Sequence, residues 1–203
     1  MLFTLLREWM LTPFTNYRLF HNFAKQDFLA QFTASIGGFL WLIITPIIHI
    51  MIYAFVFGYL FKIRAAEGFE ETTFVVFMMV GYLPWFAFAD AIGKSTGLLI
   101  EKAPLITKVK FPVQIIPVVG SVIPYLTHAI GFGILLLYLA TQGFLNWMWF
   151  YLPFIFFFQF LFALRLVAIL SALSVSLRDL QQLVALRITV WFFLTPIIWP
   201  ISI

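Results

Sequence analysis

The longest uncharged stretch of the chain, residues 111–164, reads FPVQIIPVVGSVIPYLTHAIGFGILLLYLATQGFLNWMWFYLPFIFFFQFLFAL. A helix needs about 20 apolar residues to cross the hydrocarbon core of a bilayer, so this stretch is long enough for two crossings. The turn-prone sequence Thr-Gln-Gly at 141–143 lies near its middle and divides it into predicted spans at about 112–139 and 148–175. Three further uncharged stretches cover residues 36–61, 72–89 and 188–203.

These stretches predict an all-α integral membrane protein, a polytopic helical bundle with five spans in this chain. Composition agrees, because 64% of the residues are hydrophobic and only 10% are charged, against about 25% in an average soluble domain. Continuous apolar runs indicate helices, since barrel strands would alternate polar and apolar residues. The five spans are expected at about 36–61, 72–92, 112–139, 148–175 and 188–203.

The chain divides into an N-terminal region, residues 1–35, and a transmembrane domain, residues 36–203. In the first region, Thr12 and Pro13 are expected to begin a helix that runs to about Phe32. Its aromatic residues alternate with charged ones, which predicts an amphipathic helix in the membrane interface; a soluble cap is the alternative. The last run ends at Ile203 without a charged flank, so we expect a sixth span and a truncated C-terminus.

Basic residues concentrate in alternate connections between the predicted spans. One side would carry Arg7, Arg18, Lys25, Lys94, Lys102, Lys108, Lys110, Arg178 and Arg187, and the other only Lys62 and Arg64. The positive-inside rule therefore predicts a cytoplasmic N-terminus, with the acidic loop 62–71 facing outward. The formal net charge of +4 then reflects topology and anionic lipid headgroups, and it gives no support for nucleic-acid binding.

Metal and thiol chemistry have no signal in the sequence. The chain has no cysteine, which excludes a disulfide framework and a thiolate metal site. His21, His49 and His128 share no ligand-like spacing, so they are predicted to form hydrogen bonds or lie at an interface rather than bind metal.

The basic connection at 93–110 is the most informative loop. A short helix is predicted from about Ser95 until Pro104, and it exposes an apolar patch that needs a partner to cover it. Its Gly-Lys-Ser at 93–95 mimics the end of a phosphate-binding loop, but the required earlier glycine is replaced by Phe88. ATP chemistry is therefore expected on another polypeptide.

Several motifs in order resemble the ABC-type-2 permeases that export O-antigen, teichoic acid and capsular polysaccharide. The resemblance runs from about Lys25 onward. Its motifs are Gly38, Trp41, Pro46, Phe55 and Phe57-Gly58; Gly81-Tyr82-Leu83-Pro84-Trp85; Ser95, Leu98 and Leu99; Ala103-Pro104-Leu105-Ile106; Lys108-Val109-Lys110-Phe111-Pro112 and Ile116-Pro117; Ser176-Leu177-Arg178-Asp179; and Thr195-Pro196-Ile197-Ile198.

The resemblance implies a non-catalytic transport subunit of the bacterial inner membrane. It would form a homodimer that lines one channel and moves a lipid-linked polysaccharide of the polyprenyl-diphosphate type. A separate ABC ATPase would carry ATP and magnesium, so the chain itself would need no cofactor. With the resemblance, the stretch Ser95, Leu98, Leu99, Ile100, Glu101, Lys102 and Ala103 becomes a candidate ATPase-coupling helix; a membrane-surface helix is the alternative.

Other residues have candidate roles at a gate or in a channel. Arg178 and Asp179 are adjacent and point about 100° apart on a helix, so they need separate partners; the resemblance favours a cytoplasmic gate over simple boundary polarity. Arg165 would lie roughly 20 Å deeper than Arg178 on one helix, with no acidic residue in a predicted mid-membrane stretch to neutralise it. It either faces the channel or a lipid diphosphate, or snorkels outward or caps a broken helix. Aromatic candidates for the channel wall are Trp41, Tyr53 and Phe55.

Rival functions remain open from the sequence. One is a membrane-embedded enzyme acting on polyprenyl lipids, although the acidic residues are scattered singly apart from Glu70 and Glu71. Others are an exporter of lipid or drug, and a scaffold subunit without a conduction pathway.

Overall fold

The computed structural model describes residues 12–13, 15–33, 35–53, 55–56, 71–143 and 147–197, and it confirms the predicted all-α class for these ranges. The α-helices are α1 (Tyr17–Thr33), α2 (Trp41–Tyr53), α3 (Glu71–Glu101), α4 (Ala103–Ile106), α5 (Ile115–Thr141), α6 (Tyr151–Ser176) and α7 (Leu180–Leu194). Short 3-10 turns precede two of them, at Gly38–Leu40 before α2 and at Trp147–Phe150 before α6.

Three helices in the described ranges are long and apolar enough to cross a membrane: α3 over Val76–Glu101, α5 and α6. A fourth crossing results if α1 and the segment Gly38–Tyr53, which are bent by 94° relative to each other, form one broken span. Helix α7 is apolar but shorter. Five spans therefore remain a prediction. The predicted span ends at 57–61 and 198–203 and the acidic loop at 62–70 lie outside the described residues.

Helix α3 is the centre of the bundle and contacts α2, α5, α6 and α7. Its buried residues pack against buried residues of α5 and α6 in one continuous core. Gly120 of α5 allows a close approach, because a Cβ atom there would overlap Cδ1 of Leu98. Small residues at such crossings let membrane helices pack tightly where lipid provides little hydrophobic driving force. The shared core residues are Met78, Met79, Tyr82, Leu83, Phe88, Phe132, Leu135, Leu139, Ala163 and Val167.

The predicted helix start at Ser95 is wrong, since α3 continues without a break to Glu101. Ser95 and Thr96 are fully buried, and the Thr96 hydroxyl donates to the Ile92 carbonyl at 2.7 Å, so it bonds back to the helix instead of capping a new one. Pro104 lies at the start of the short α4. The second predicted span therefore extends well beyond residue 92.

Two other predicted boundaries had different outcomes. The break at 141–143 is confirmed, because α5 ends at Thr141 and Gly143 adopts a φ of +75°, a left-handed conformation that glycine tolerates best. The long connection expected at 176–187, between the predicted spans 148–175 and 188–203, is wrong. Only residues 177–179 separate α6 from α7, and Arg187 lies inside α7.

Candidate functional site

One end of the bundle carries a cluster of lysines and a short exposed connection. We call this the basic end, defined by Lys94, Lys102, Lys108 and Lys110. The segment 100–112, which comprises the last two residues of α3 and most of the connection to α5, contains α4 and is largely exposed. Two of its apolar side chains, Ile100 and Val109, are 41% and 52% exposed. Ala103, Pro104 and Thr107 are exposed between them.

Helix α1 fixes this connection in place. Asp27 of α1 forms an ion pair with Lys102, with 3.6 Å between Oδ1 and Nζ. The Phe23 ring stacks on the Phe111 ring with centroids 5.5 Å apart. Further apolar residues of α1 pack on the first turns of α5. The connection is thus an ordered surface supported by α1, and α1 packs against the bundle itself.

The predicted coupling residues divide into a buried and an exposed group. Ser95 is fully buried and Leu99 is 9% exposed, while Leu98 packs beside Gly120. Ile100, Glu101 and Ala103 are exposed, and Lys102 is held by its ion pair. The structure therefore brings Ile100 to Ala103 to the surface and leaves Ser95 and Leu99 as internal support.

The predicted gate residues, Arg178 and Asp179, lie exposed in the turn between α6 and α7. Within the described ranges they form no ion pair with each other, as expected for adjacent residues. Just beyond this turn, the Gln181 side chain covers Gly97 of α3 so closely that a Cβ atom there would lie 2.6 Å from its Oε1. The turn is therefore adjacent to the last turn of α3 before the exposed connection.

A partly exposed polar cluster lies where three helices of the bundle meet, and sequence reasoning missed it. Nε2 of His128 is 3.0 Å from Oδ2 of Asp90. His128 is at the midpoint of the 27-residue α5, about 20 Å from either end, and His49 of α2 lies within electrostatic range of both groups. The cluster thus connects α2, α3 and α5 between apolar helices.

Aromatic rings continue this cluster. The ring of Tyr82 lies 5.8 Å from that of His49 and 4.6 Å from that of Tyr53, and a side-chain hydrogen bond joins the two tyrosines. The ring centroid of Phe86 lies 4.1 Å from that of Tyr82. The predicted channel residue Tyr53 is therefore packed against the bundle.

The other predicted channel residues lie apart from this cluster. Trp41 and Phe55 are 45% and 57% exposed. Arg165 is exposed near the middle of α6 and makes no hydrogen bond or ion pair within the described ranges. It lies about 160° around α6 from the buried Val167 at 100° per residue. Because α6 is continuous, Arg165 does not cap a broken helix; it points away from the bundle.

Two signals in the sequence could have revealed the polar cluster. The sequence predicts no acid in a mid-membrane stretch, whereas the candidate span Val76–Glu101 of α3 contains Asp90 about 16 Å from its C-terminal end. The prediction that His128 forms a hydrogen bond is confirmed. Pairing Asp90 of α3 with the single histidine of α5 would have indicated the contact. No group of histidine or acidic residues suited to a metal ion occurs in the described part of the chain.

Comparison with known proteins agrees with a membrane transporter. Residues 18–203 match the family model described as ABC-2 type transporter. The chain is 30% identical over 182 residues to an O-antigen export system permease protein, RfbA, of Myxococcus xanthus, covering 89% of this chain and 68% of that protein. It is 28% identical over 178 residues to a Klebsiella pneumoniae protein of the same name, covering 86% of this chain and 66% of the relative. The chain therefore belongs to the ABC-2 type transporter family.

Proposed function

We propose that this chain is the permease subunit of an ABC exporter that moves lipid-linked polysaccharide across the bacterial inner membrane. The relatives are named as O-antigen export permeases, which supports the substrate class. A homodimer would enclose the glycan between two copies, and a separate ATPase would supply the energy. The N-terminus and the basic end would face the cytoplasm, as the lysine distribution predicts.

The observation that carries this proposal is the exposed apolar surface of the α3–α5 connection. Ile100 and Val109 are exposed beside Lys108 and Lys110, at the end of a bundle that is otherwise apolar along its length. An ordered apolar surface with a basic rim is typical of a protein docking site. We therefore assign ATPase coupling to residues 100–110, with Ser95, Leu98 and Leu99 holding the end of α3 against α5.

The gate assignment follows from the contact between Gln181 and Gly97. A displacement of the end of α3 by the ATPase would reach α7 directly, since the Gln181 side chain lies over the Gly97 backbone. Arg178 and Asp179 precede α7 and would move with its first turn. This gives a short mechanical connection from the docking surface to the proposed gate.

The channel assignments differ in their structural support. Trp41 in α2 and Phe55 just after α2 expose aromatic rings. A channel wall along which sugars slide would require exposed rings of this kind. Arg165 lies on the outer face of α6, so phosphate groups of surrounding lipid are suitable partners for its guanidinium. In this proposal Arg165 anchors lipid rather than lining the channel.

Ile100→Glu tests the docking surface in cells that co-produce the exporter's ATPase. Buried charge at an apolar contact should lower co-purification of the ATPase about tenfold, as for a central interface residue. Tyr17→Glu is the matched control, because Tyr17 is a 64% exposed aromatic residue on α1 outside the connection. Equal co-purification of wild type and Ile100→Glu would refute the docking assignment.

Polysaccharide export tests the function as a whole. A strain lacking this permease should accumulate lipid-linked polysaccharide on the cytoplasmic side, and the wild-type gene should restore it to the cell surface. Restoration should fail with Ile100→Glu and succeed with Tyr17→Glu. Surface polysaccharide at normal levels in the strain lacking the permease would contradict the proposed function.

A further inference from the structure

Only one of the two carboxylate oxygens of Asp90 is in contact with His128. Oδ2 is bonded to His128 Nε2, and no side chain in the described ranges hydrogen-bonds to Oδ1. The side chain of Asp90 is 42% exposed, whereas that of His128 is 17% exposed. His128 therefore orients Asp90 from the inside, and the free oxygen is available to a group outside the protomer.

The face of α3 that carries Asp90 is open towards the basic end. Gly93 and Lys94 follow at helical spacings of three and four, which place them on the same face. Nothing lies within 4 Å of a Cβ atom built on Gly93, and Lys94 is exposed. A strip with a carboxylate and an ammonium group is poorly suited to contact lipid tails, so it borders a polar space or another protein surface.

An aromatic residue, Phe86, lies one helical turn from Asp90. Phe86 is one turn before Asp90 on the same face and is partly exposed, and its ring lies tilted against that of the buried Tyr82 with 4.1 Å between ring centroids. Phe86 in turn contacts Phe192 of α7. A carboxylate acceptor one helical turn from a partly exposed aromatic ring is suited to a sugar, because the sugar hydroxyl groups donate to the carboxylate and the apolar face of the sugar ring packs on Phe86.

We propose that Asp90, oriented by His128, accepts hydrogen bonds from the sugar hydroxyls of the substrate as it passes along this face of α3. This inference rests on the proposed function and assigns a glycan-contacting site within it. The negative charge disfavours the diphosphate of a lipid anchor. The site would therefore respond to the glycan and not to the lipid that carries it.

The test compares two lipids on the complete permease–ATPase complex in nanodiscs. One is a polyprenyl diphosphate carrying a neutral oligosaccharide, and the other is the same lipid without sugar; binding is followed by intrinsic tryptophan fluorescence. Asp90→Asn keeps the size of the side chain and removes the charged acceptor. We expect about a tenfold higher half-saturating concentration for the glycan-bearing lipid, as for loss of a hydrogen bond to a charged group, and no change for the sugar-free lipid.

Thr127→Val is the matched control, because it removes a polar group next to His128 whose hydroxyl already donates to the Ile123 carbonyl at 3.0 Å. It should bind both lipids as wild type does. If Asp90→Asn binds the glycan-bearing lipid as well as wild type, or loses both lipids equally, the site is refuted while the proposed function stands. If wild-type complex does not prefer the glycan-bearing lipid, the proposed function fails and the site with it.

A second variant keeps the test decisive if Asp90→Asn does not fold. Asp90→His combined with His128→Asp preserves the pair but transfers the carboxylate to α5 and away from the open strip. The double variant should fold and still show about a tenfold weaker response to the glycan-bearing lipid. Wild-type binding of that lipid by the double variant would refute the site.

Discussion

Asp90 and Arg165 each place a charged group about 16 Å from the C-terminal end of an apolar helix, yet their surroundings differ. Asp90 is bonded to His128 and lies on the face of α3 that adjoins α2 and α5. Arg165 has no ion pair in the described ranges and projects from the outer face of α6. Phe88, which contacts Phe162 of α6, lies about 200° around α3 from Asp90. The two charges are therefore on opposite sides of the bundle.

This difference indicates which side of the protomer is suited to a polar substrate. A charge in the middle of a membrane helix is costly by about 2.5 to 3.5 kcal/mol on insertion scales. A long arginine side chain lowers that cost by extending towards the headgroups, but an aspartate is too short to do so and needs a partner. The paired, inward-held Asp90 thus indicates a polar path along α3, whereas Arg165 indicates a lipid-facing surface.

The largest loss of stability is expected when the sign of the side-chain charge at position 90 is reversed. Asp90→Lys should destabilise the protein by about 3 to 5 kcal/mol, because it removes the charged acceptor of the hydrogen bond from His128, whose side chain is only 17% exposed, and leaves that ring nitrogen facing an ammonium group. The fraction of monodisperse protein in detergent gel filtration measures this loss. Adding His128→Asp should recover most of it, and a double variant no better than the single one would show that the contact contributes little.

A smaller and opposite effect is expected at Arg165. Arg165→Leu should make insertion of α6 more favourable by about 2.5 to 3.5 kcal/mol, measured with a glycosylation-tag insertion assay on α6. Export should remain at the wild-type level, because the side chain points away from the polar face. Loss of export in well-folded Arg165→Leu protein would restore Arg165 as a channel residue.

The helix contact that positions the Asp90–His128 pair gives a third test. Gly120→Ala forces a Cβ atom onto Leu98 and should cost about 1 to 3 kcal/mol through overpacking between α3 and α5. Gly133→Ala on the same helix is the control, because a Cβ atom there meets nothing within 4 Å. Thermal unfolding in detergent should separate the two variants, and equal melting temperatures would show that the close approach is unimportant.

The smallest effect is expected at the ion pair of the basic end. Lys102 and Asp27 are 35% and 29% exposed, so Lys102→Ala should change stability by only about 0 to 1 kcal/mol. The same thermal measurement at low and high salt checks this value. A loss comparable to that of Asp90→Lys would mean that α1 is held mainly by this pair rather than by its apolar packing on α5.

Sequence alone predicted the all-helical class, the apolar helices α5 and α6 and the 141–143 break between them, because these depend on local composition. It failed at Ser95, where small polar residues look like a loop but are buried against α5 in the fold. It also failed at Asp90, which was placed at the edge of a span that in fact continues to Glu101. The contact with His128 joins residues 38 positions apart, so it becomes visible only once α3 and α5 are packed together.

Cysteine accessibility tests most directly whether α3 has a polar face and α6 a lipid-facing one. The chain contains no cysteine of its own, so each introduced thiol is the only one. Gly93→Cys lies on the open strip beside Asp90, and Ile169→Cys lies one turn from Arg165, where Ile169 is 39% exposed; each is about 10 to 12 Å from the basic end of its helix. In membranes, a water-soluble thiol reagent should label Gly93→Cys and leave Ile169→Cys unmodified. Labelling of Ile169→Cys alone, or equal labelling of both, would contradict a polar path along α3.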